Sequence, residues 1–248
     1  MKKLIKRLVL FVFIVFALPA LVSFATWQAN ADRPSNWHTA NWNTAGILPK
    51  ASENPDPVVY VMAARTGRWK GAFSVHSWIV TKEANSKRYN RYDKVGWGSP
   101  IRVNNYAADA NWYSNPPVIL KTFHGKEAQL LIPKIEAAVK SYPHSRHGNY
   151  SIWPGPNSNS FIAHVLNEVP ELDLVLPANA IGRDFISGGE YILIDPDWMN
   201  IQVNLDGYLG FAIGKRSGLE LQFMGLVAGL DFSKPGIKLP GFGTISFL

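Results

Sequence analysis

The chain contains no cysteine in its 248 residues. That absence excludes disulfides, thiolate metal sites, a cysteine nucleophile and lipid attachment through a lipobox cysteine, so stability has to come from the core. Several motifs are missing as well. There is no Walker loop, no G-x-G-x-x-G after a strand, no H-E-x-x-H and no G-x-S-x-G elbow, which disfavours nucleotide, zincin and ordinary α/β-hydrolase chemistry. Charge is sparse, at 17% of residues, and the net +7 is misleading. Residues 1–31 hold four basic groups and no acidic ones, leaving 21 basic against 18 acidic residues, a net of +3, in the remainder. No run of Lys or Arg is interleaved with aromatics, so nucleic acid is not an expected partner. No period suggests a solenoid. Beyond the N-terminus no second long hydrophobic run occurs: Leu219 to Leu230 is too short and is interrupted by Gly225 and Gly229, and is expected to be core strand.

The one long hydrophobic run lies at the start. Lys2, Lys3, Lys6 and Arg7 precede an uncharged apolar stretch from Leu8 to Ala25. Its length reaches the roughly 17 to 25 residues that span a bilayer and exceeds the roughly 7 to 15 of a usual signal core. An uncleaved inner-membrane anchor, with a single N-terminal span and a periplasmic domain, is the first expectation. Cleavage after Ala29-Asn30-Ala31, with Pro19 late in the run, is the alternative and would give a periplasmic protein. Either way the basic end stays cytoplasmic. The expected organisation is a leader over 1–31, a linker or arm over 32–57, and a single α+β domain over 58–248. Trp27, Trp37 and Trp42 belong either at the membrane interface or packed on the domain as an ordered arm.

Within the domain, Val58 to Ala64 and Phe73 to Thr81 read as two paired central strands around the turn Thr66-Gly67-Arg68. Tyr92 to Trp97, Ile101 to Tyr106 and Val118 to Phe123 are further strands, and an antiparallel meander is the economical topology. Ala128, Leu131, Ile132, Ile135, Ala138, Val139 and Tyr142 recur at helical spacing. Pro133 implies either a kink in that helix or its start. A second helix runs from Asn157 or Ser158 through Phe161 and Val165 to about Glu168, stopped by Pro170. Leu172 to Leu176 and Tyr191 to Ile194 are expected as short strands. Residues 201 to 233 are expected as hairpins, with turns at Asp206-Gly207 and Ser217-Gly218, closed by the tail Pro235 to Leu248.

The segment Trp153-Pro154-Gly155-Pro156-Asn157-Ser158-Asn159-Ser160-Phe161 is a rigid turn that opens a helix and offers a hydroxyl in its first turn. A serine is a weak nucleophile without a base and a group that stabilises developing negative charge. The helix start supplies the second. His76, mid-strand in Phe73-Ser74-Val75-His76-Ser77-Trp78 and sharing a face with Trp78 and Val80, is the best candidate base. Each has an ordinary structural role too: Asn157 or Ser158 as an N-cap, His76 as a core histidine, Arg183 as a partner of Asp184. His144 and His147 with His124 are weak metal ligands, and neither a metal nor a cofactor is expected.

An early-strand histidine, a meander, a covering helix and a later helix opening with N-[C]-x-x-F resemble the circularly permuted papain-like hydrolases. These include the lecithin retinol acyltransferase group and bacterial NlpC-type enzymes. Here Asn157-Ser158-Asn159-Ser160-Phe161 has serine where those enzymes have cysteine, and His76 precedes Ser158 in the permuted order. The chain is also similar, over roughly residues 58 to 240, to an uncharacterised family of exported or membrane-anchored bacterial proteins. That likeness rests on WPGPNSN, an LPANAIGRDF-like stretch and glycine-rich C-terminal strands, and carries no activity with it.

The resemblance implies an antiparallel meander with two covering helices in a permuted papain-like core, plus β-rich C-terminal hairpins. It implies His76 as base and Ser158 as nucleophile. Asp93 or His124, and more weakly Asn104, could orient the histidine. Asn157, Asn159, Asn179 and Arg183 are the expected substrate-binding groups. The leading expectation is a Ser/His amide or ester hydrolase or acyltransferase acting on cell-envelope peptide, glycan or lipid. The alternatives are a non-catalytic relative that binds such material in the same cleft, and a structural envelope protein.

Overall fold

The computed structural model describes residues 1–29 and 33–247. Lys2–Ala29 is one helix, with a π-type turn at Phe13–Ala17, and is long and apolar enough to cross a membrane. The expected small-residue site at Ala29-Asn30-Ala31 lies in part outside the described residues.

Strand β1 (Val58–Arg65) is buried on both faces, which is why it reads as an unbroken apolar run. It pairs antiparallel with β2 (Val75–Lys82), placing Ala64 opposite His76. Strands β3 (Asn90–Lys94) and β4 (Ile101–Val103) continue the meander, but β5 (Val118–His124) returns to the far side of β1, so the order is β4-β3-β2-β1-β5. The expected simple meander is corrected there. One face of β1 and β2 (Val59, Val61, Ala63, Ile79) packs on the helices Gly125–Ser141 and Ser158–Glu168 through Ile132, Ile135, Phe161 and Val165. Pro133 sits inside the first of these, which is continuous from Gly125. The other face (Tyr60, Met62, Trp78, Val80) packs on an aromatic cluster around Trp112.

The segment before β1 packs on that second face through Trp42 and Leu48. Trp42 contacts Tyr106, Trp112 and Tyr113, and the Asp109 carboxylate accepts from Thr44 Oγ1 and the N–H groups of Ile47 and Leu48. Residues 173–178, expected in part as a strand, are irregular after a 3-10 turn at Pro170–Leu172.

The C-terminal third is a seven-stranded antiparallel sheet of sequential hairpins, β6 (Ile192–Ile194) through β12 (Gly243–Ser246). Its inner face is polar. Glu220 lies between Arg183 and Lys238, and Asn204 donates to both Asp184 and Gln222. Its outer face is apolar: Leu219 and Leu221, expected in core strand, are exposed there. Arg65 Nη1 donates to the Gly241 carbonyl at 2.7 Å and ties the two sheets together.

Candidate functional site

Alternation along β2 sends Val75 and Ile79 towards the helices and His76 and Trp78 towards the aromatic cluster. The His76 ring lies flat on Trp112, with centroids 3.6 Å apart and planes 5° from parallel. Its Nε2 is 3.4 Å from Asp93 Oδ2, and Arg91 Nη2 donates to the same oxygen at 3.0 Å. Arg91 is itself stacked over Trp78 at 4.1 Å. All three polar side chains are buried.

Burial pushes His76 below its ordinary value, against the opposing pull of Asp93. Burial alone would raise Asp93, but the hydrogen bond with His76 and the charge of Arg91 hold it below the usual carboxylate value. The pair therefore rests at neutral pH as neutral imidazole and carboxylate, with the Nε2–H donated to Asp93 and the lone pair on Nδ1. Nδ1 has no hydrogen-bond partner among the described residues, and the His76 side chain lines a cavity.

The helix Ser158–Glu168 approaches from the opposite side of the sheet. Its start is fixed by a capping box: Asn157 Oδ1 accepts from the N–H of Asn159 and of Ser160, and Ser160 Oγ accepts from the N–H of Asn157 at 2.7 Å. Of the four N–H groups that a helix start leaves free, the cap takes three and passes over that of Ser158. The Asn159 side chain anchors the turn to β2 on either side of His76, accepting from Ser77 Oγ and donating to the Val75 carbonyl.

His76 and Ser158 meet at a cavity of about 240 Å³ at the end of β2. Aromatic side chains wall it, among them Trp69, Phe73, Trp112 and Trp153. The two residues are not hydrogen-bonded to each other; the Ser158 hydroxyl interacts with the Tyr150 phenol, which burial pushes up to about 12.

The other expected residues fall as follows. Asn157 and Asn159 line the cavity, with their amides committed to the cap and to backbone carbonyls of Ile152, Val75 and Ile181. Asn179 lies outside it, lining a separate cavity of about 810 Å³ between the two sheets. Arg183 is buried against Glu220 and the Leu176 carbonyl, and does not reach His76. Its ion pair is with Glu220 rather than with its neighbour Asp184. Of the orienting candidates Asp93 reaches His76. His124 pairs with Val58 at the opposite end of β1, and Asn104 is bonded to Asn90 and Arg91. Among the described residues no group of three or more His, Asp and Glu is placed to hold a metal.

Arg91, Trp112 and Tyr150 were not singled out from the sequence. Arg91 had a signal, since it stands two residues from Asp93 on one strand and so shares its face. Trp112 and Tyr150 arrive from irregular segments that carry no periodicity.

The profile of a family described as a protein of unknown function (DUF3750) matches residues 56–185, just over half of the chain. The chain belongs to this family. The matched region holds the five-stranded sheet, both covering helices, His76, Asp93 and the capped turn at Ser158, and ends before the seven-stranded sheet. No curated protein and no solved structure matches the chain.

Proposed function

We propose that the DUF3750 domain of this protein is a serine-dependent amide or ester hydrolase or acyltransferase of permuted papain-like type, acting on cell-envelope material at the cavity shared by His76 and Ser158. The observation that carries this reading is the Asp93 carboxylate 3.4 Å from His76 Nε2, at a cavity that both His76 and Ser158 line.

In this reading Ser158 Oγ attacks the carbonyl carbon, and its proton passes to His76 Nδ1. Asp93, held by Arg91, fixes the ring and stabilises the imidazolium as it forms. The uncapped N–H of Ser158, at a positive helix end, donates to the developing oxyanion. His76 then returns the proton to the departing amine or alcohol, leaving an acyl-Ser158 ester. Water, or an acceptor hydroxyl or amine deprotonated by His76, releases the acyl group. The serine and histidine have to close on each other when substrate displaces the Tyr150 contact, since catalytic hydrogen bonds often tighten only with substrate bound. The aromatic walls favour an acylated substrate, and among envelope peptide, glycan and lipid they point to lipid.

Hydrolysis of p-nitrophenyl esters of increasing acyl length tests the activity. The expected result is measurable turnover that rises with acyl length and is abolished by Ser158→Ala with the melting temperature retained. Equal turnover by wild type and Ser158→Ala would remove the nucleophile.

One observation favours a second reading, a binding module without turnover: Ser158 interacts with Tyr150 and not with His76. That reading predicts saturable binding of a fluorescent fatty acid, equal in wild type and Ser158→Ala, with no ester hydrolysis by either.

A further inference from the structure

A water-facing antiparallel sheet normally turns its apolar face inward and its polar face out. The C-terminal sheet does the reverse. Across its ladder, Ile194 pairs with Ile201, Ile201 with Ile213, Ile213 with Leu219, Leu219 with Leu230, Leu230 with Ile237, and Ile237 with Ile245. This is one unbroken aliphatic row over all seven strands. Two residues along the strands, a parallel row joins Ile192, Val203, Phe211 and Leu221, and beyond it lies Leu205, Leu209, Phe223 and Leu226. Residues at intervening positions, Gln202, Asn204, Glu220, Gln222 and Lys238, point into the protein.

Seven strands spaced about 4.8 Å apart, over some 17 Å of strand, give roughly 500 Å² of apolar face, with part of the third row under Phe16. That is as large as the largest patch on a typical monomer, and such patches mark an interaction site. Phe211, Ile213, Leu221 and Leu230 are each more than 40% exposed on it.

The N-terminal helix identifies what covers the face. Phe16, near the midpoint of Lys2–Ala29, is itself buried and packs on Phe223 of the third row, with ring centroids 5.6 Å apart. Further along the same helix Ser23 Oγ donates to the Ala72 carbonyl, Phe24 stacks on Phe73 and Trp27 Nε1 donates to the Arg68 carbonyl. The midpoint of a membrane-spanning helix lies at the middle of the hydrocarbon, and Phe16 to Trp27 covers about 16 Å of rise, or one leaflet. A sheet face held against Phe16 is therefore at acyl-chain depth. The edge strands β6 and β12 have only three and four residues, which limits the unpaired backbone that this placement exposes to lipid.

We infer that the outer face of the seven-stranded sheet is a membrane-insertion surface, seated among the acyl chains of the leaflet beside the N-terminal helix. The protein then grips the membrane twice, through the helix and through the sheet. This inference stands independently of the chemistry at Ser158.

Because the chain has no cysteine, a single introduced thiol is a unique probe site. The full-length variants Leu221→Cys and Ile237→Cys, labelled with the fluorophore NBD, are reconstituted in phosphatidylethanolamine/phosphatidylglycerol vesicles alongside Lys126→Cys on the exposed side of the helix Gly125–Ser141. The expected result is at least twofold quenching of the two sheet labels by lipids spin-labelled on the acyl chain, with little quenching by aqueous iodide, and the reverse pattern at Lys126. Iodide quenching at Leu221 and Ile237 equal to that at Lys126 would place the face in water and overturn the inference. Pyrene excimer emission from Leu221→Cys, in protein diluted to well below one copy per vesicle leaflet patch and unaffected by spin-labelled lipid, would assign the face to a second copy and overturn it equally. Retention of the wild-type melting temperature by each variant confirms that the labels report the native face.

Discussion

His76, Asp93 and Arg91 form a buried cluster in which charge and burial act together. The guanidinium offsets the carboxylate, the carboxylate holds one imidazole nitrogen, and the Trp112 ring fixes the imidazole plane. Burial keeps His76 neutral below its ordinary value of 6.5, so any step that uses it as a base retains its rate as pH falls to about 6.5 and loses it at lower pH. Asp93 raises the His76 value, so Asp93→Asn moves that acid limb to lower pH and slows the reaction by about 100-fold or more, measurable in a pH–rate profile. An unmoved limb would separate Asp93 from the base. Linkage to stability has the same sense. His76 and Asp93 both have lowered values in the folded state, so their contributions are present in full above the ordinary values of 6.5 and 3.8 and are lost as pH falls through the lowered ones. The melting temperature should therefore fall on acidification from about pH 6.5, and less so in His76→Phe.

Among the elements, the helix Ser158–Glu168 was legible in the sequence because its start carries every signal a helix start has: a proline-rich turn, an Asn cap, a Ser at the third position and an apolar period behind it. Asn157→Ala removes the cap and its two amide donations, and should cost about 0.5–2 kcal/mol by the cap alone, read from chemical denaturation. The central strands were legible for a related reason: burial on both faces leaves a continuous apolar run. The pairing of β5 with β1 was not, since nothing local distinguishes which sheet edge a returning strand joins. Residues 173–178 carried apolar alternation yet form no strand. They contribute Leu176 to the helix-side core and lie in front of the polar inner face of the second sheet. The buried Arg183–Glu220–Lys238 cluster joins sequence positions too far apart to be seen in advance. Glu220 compensates both cations, so Glu220→Ala, which leaves Arg183 without a carboxylate and Lys238 with only Asp231 at 3.8 Å, should destabilise by about 3–5 kcal/mol in a denaturant titration. A loss below about 1 kcal/mol would mean that water already reaches the cluster.

At the scale of the whole molecule, the sheet that carries His76 and the seven-stranded sheet share one wall of the cavity. The turn Arg68–Ala72 is held by the N-terminal helix and contributes Trp69 and Lys70 to the cavity, while Met224, beside the Phe223 that meets Phe16, closes the other side. The cavity thus lies against the helix that is long and apolar enough to cross a membrane. The long apolar helix was legible in the sequence from its length, and of the residues singled out by motif and order His76, Asn157, Ser158 and Asn159 line one cavity while Asn179 and Arg183 do not. The reversed polarity of the C-terminal sheet was equally present in its alternation, but assigning a face as inner or outer needs the ladder, because period alone does not say which side is buried. The central claim is that Ser158 is a nucleophile activated by His76. Its most direct test is covalent labelling of the full-length protein with a fluorophosphonate, followed by peptide mass mapping. The account predicts one adduct per chain on Ser158, formed at least 100-fold more slowly in His76→Ala and absent in Ser158→Ala. No adduct on Ser158 in the folded protein, or labelling at Ser158 that proceeds equally fast without His76, would contradict it.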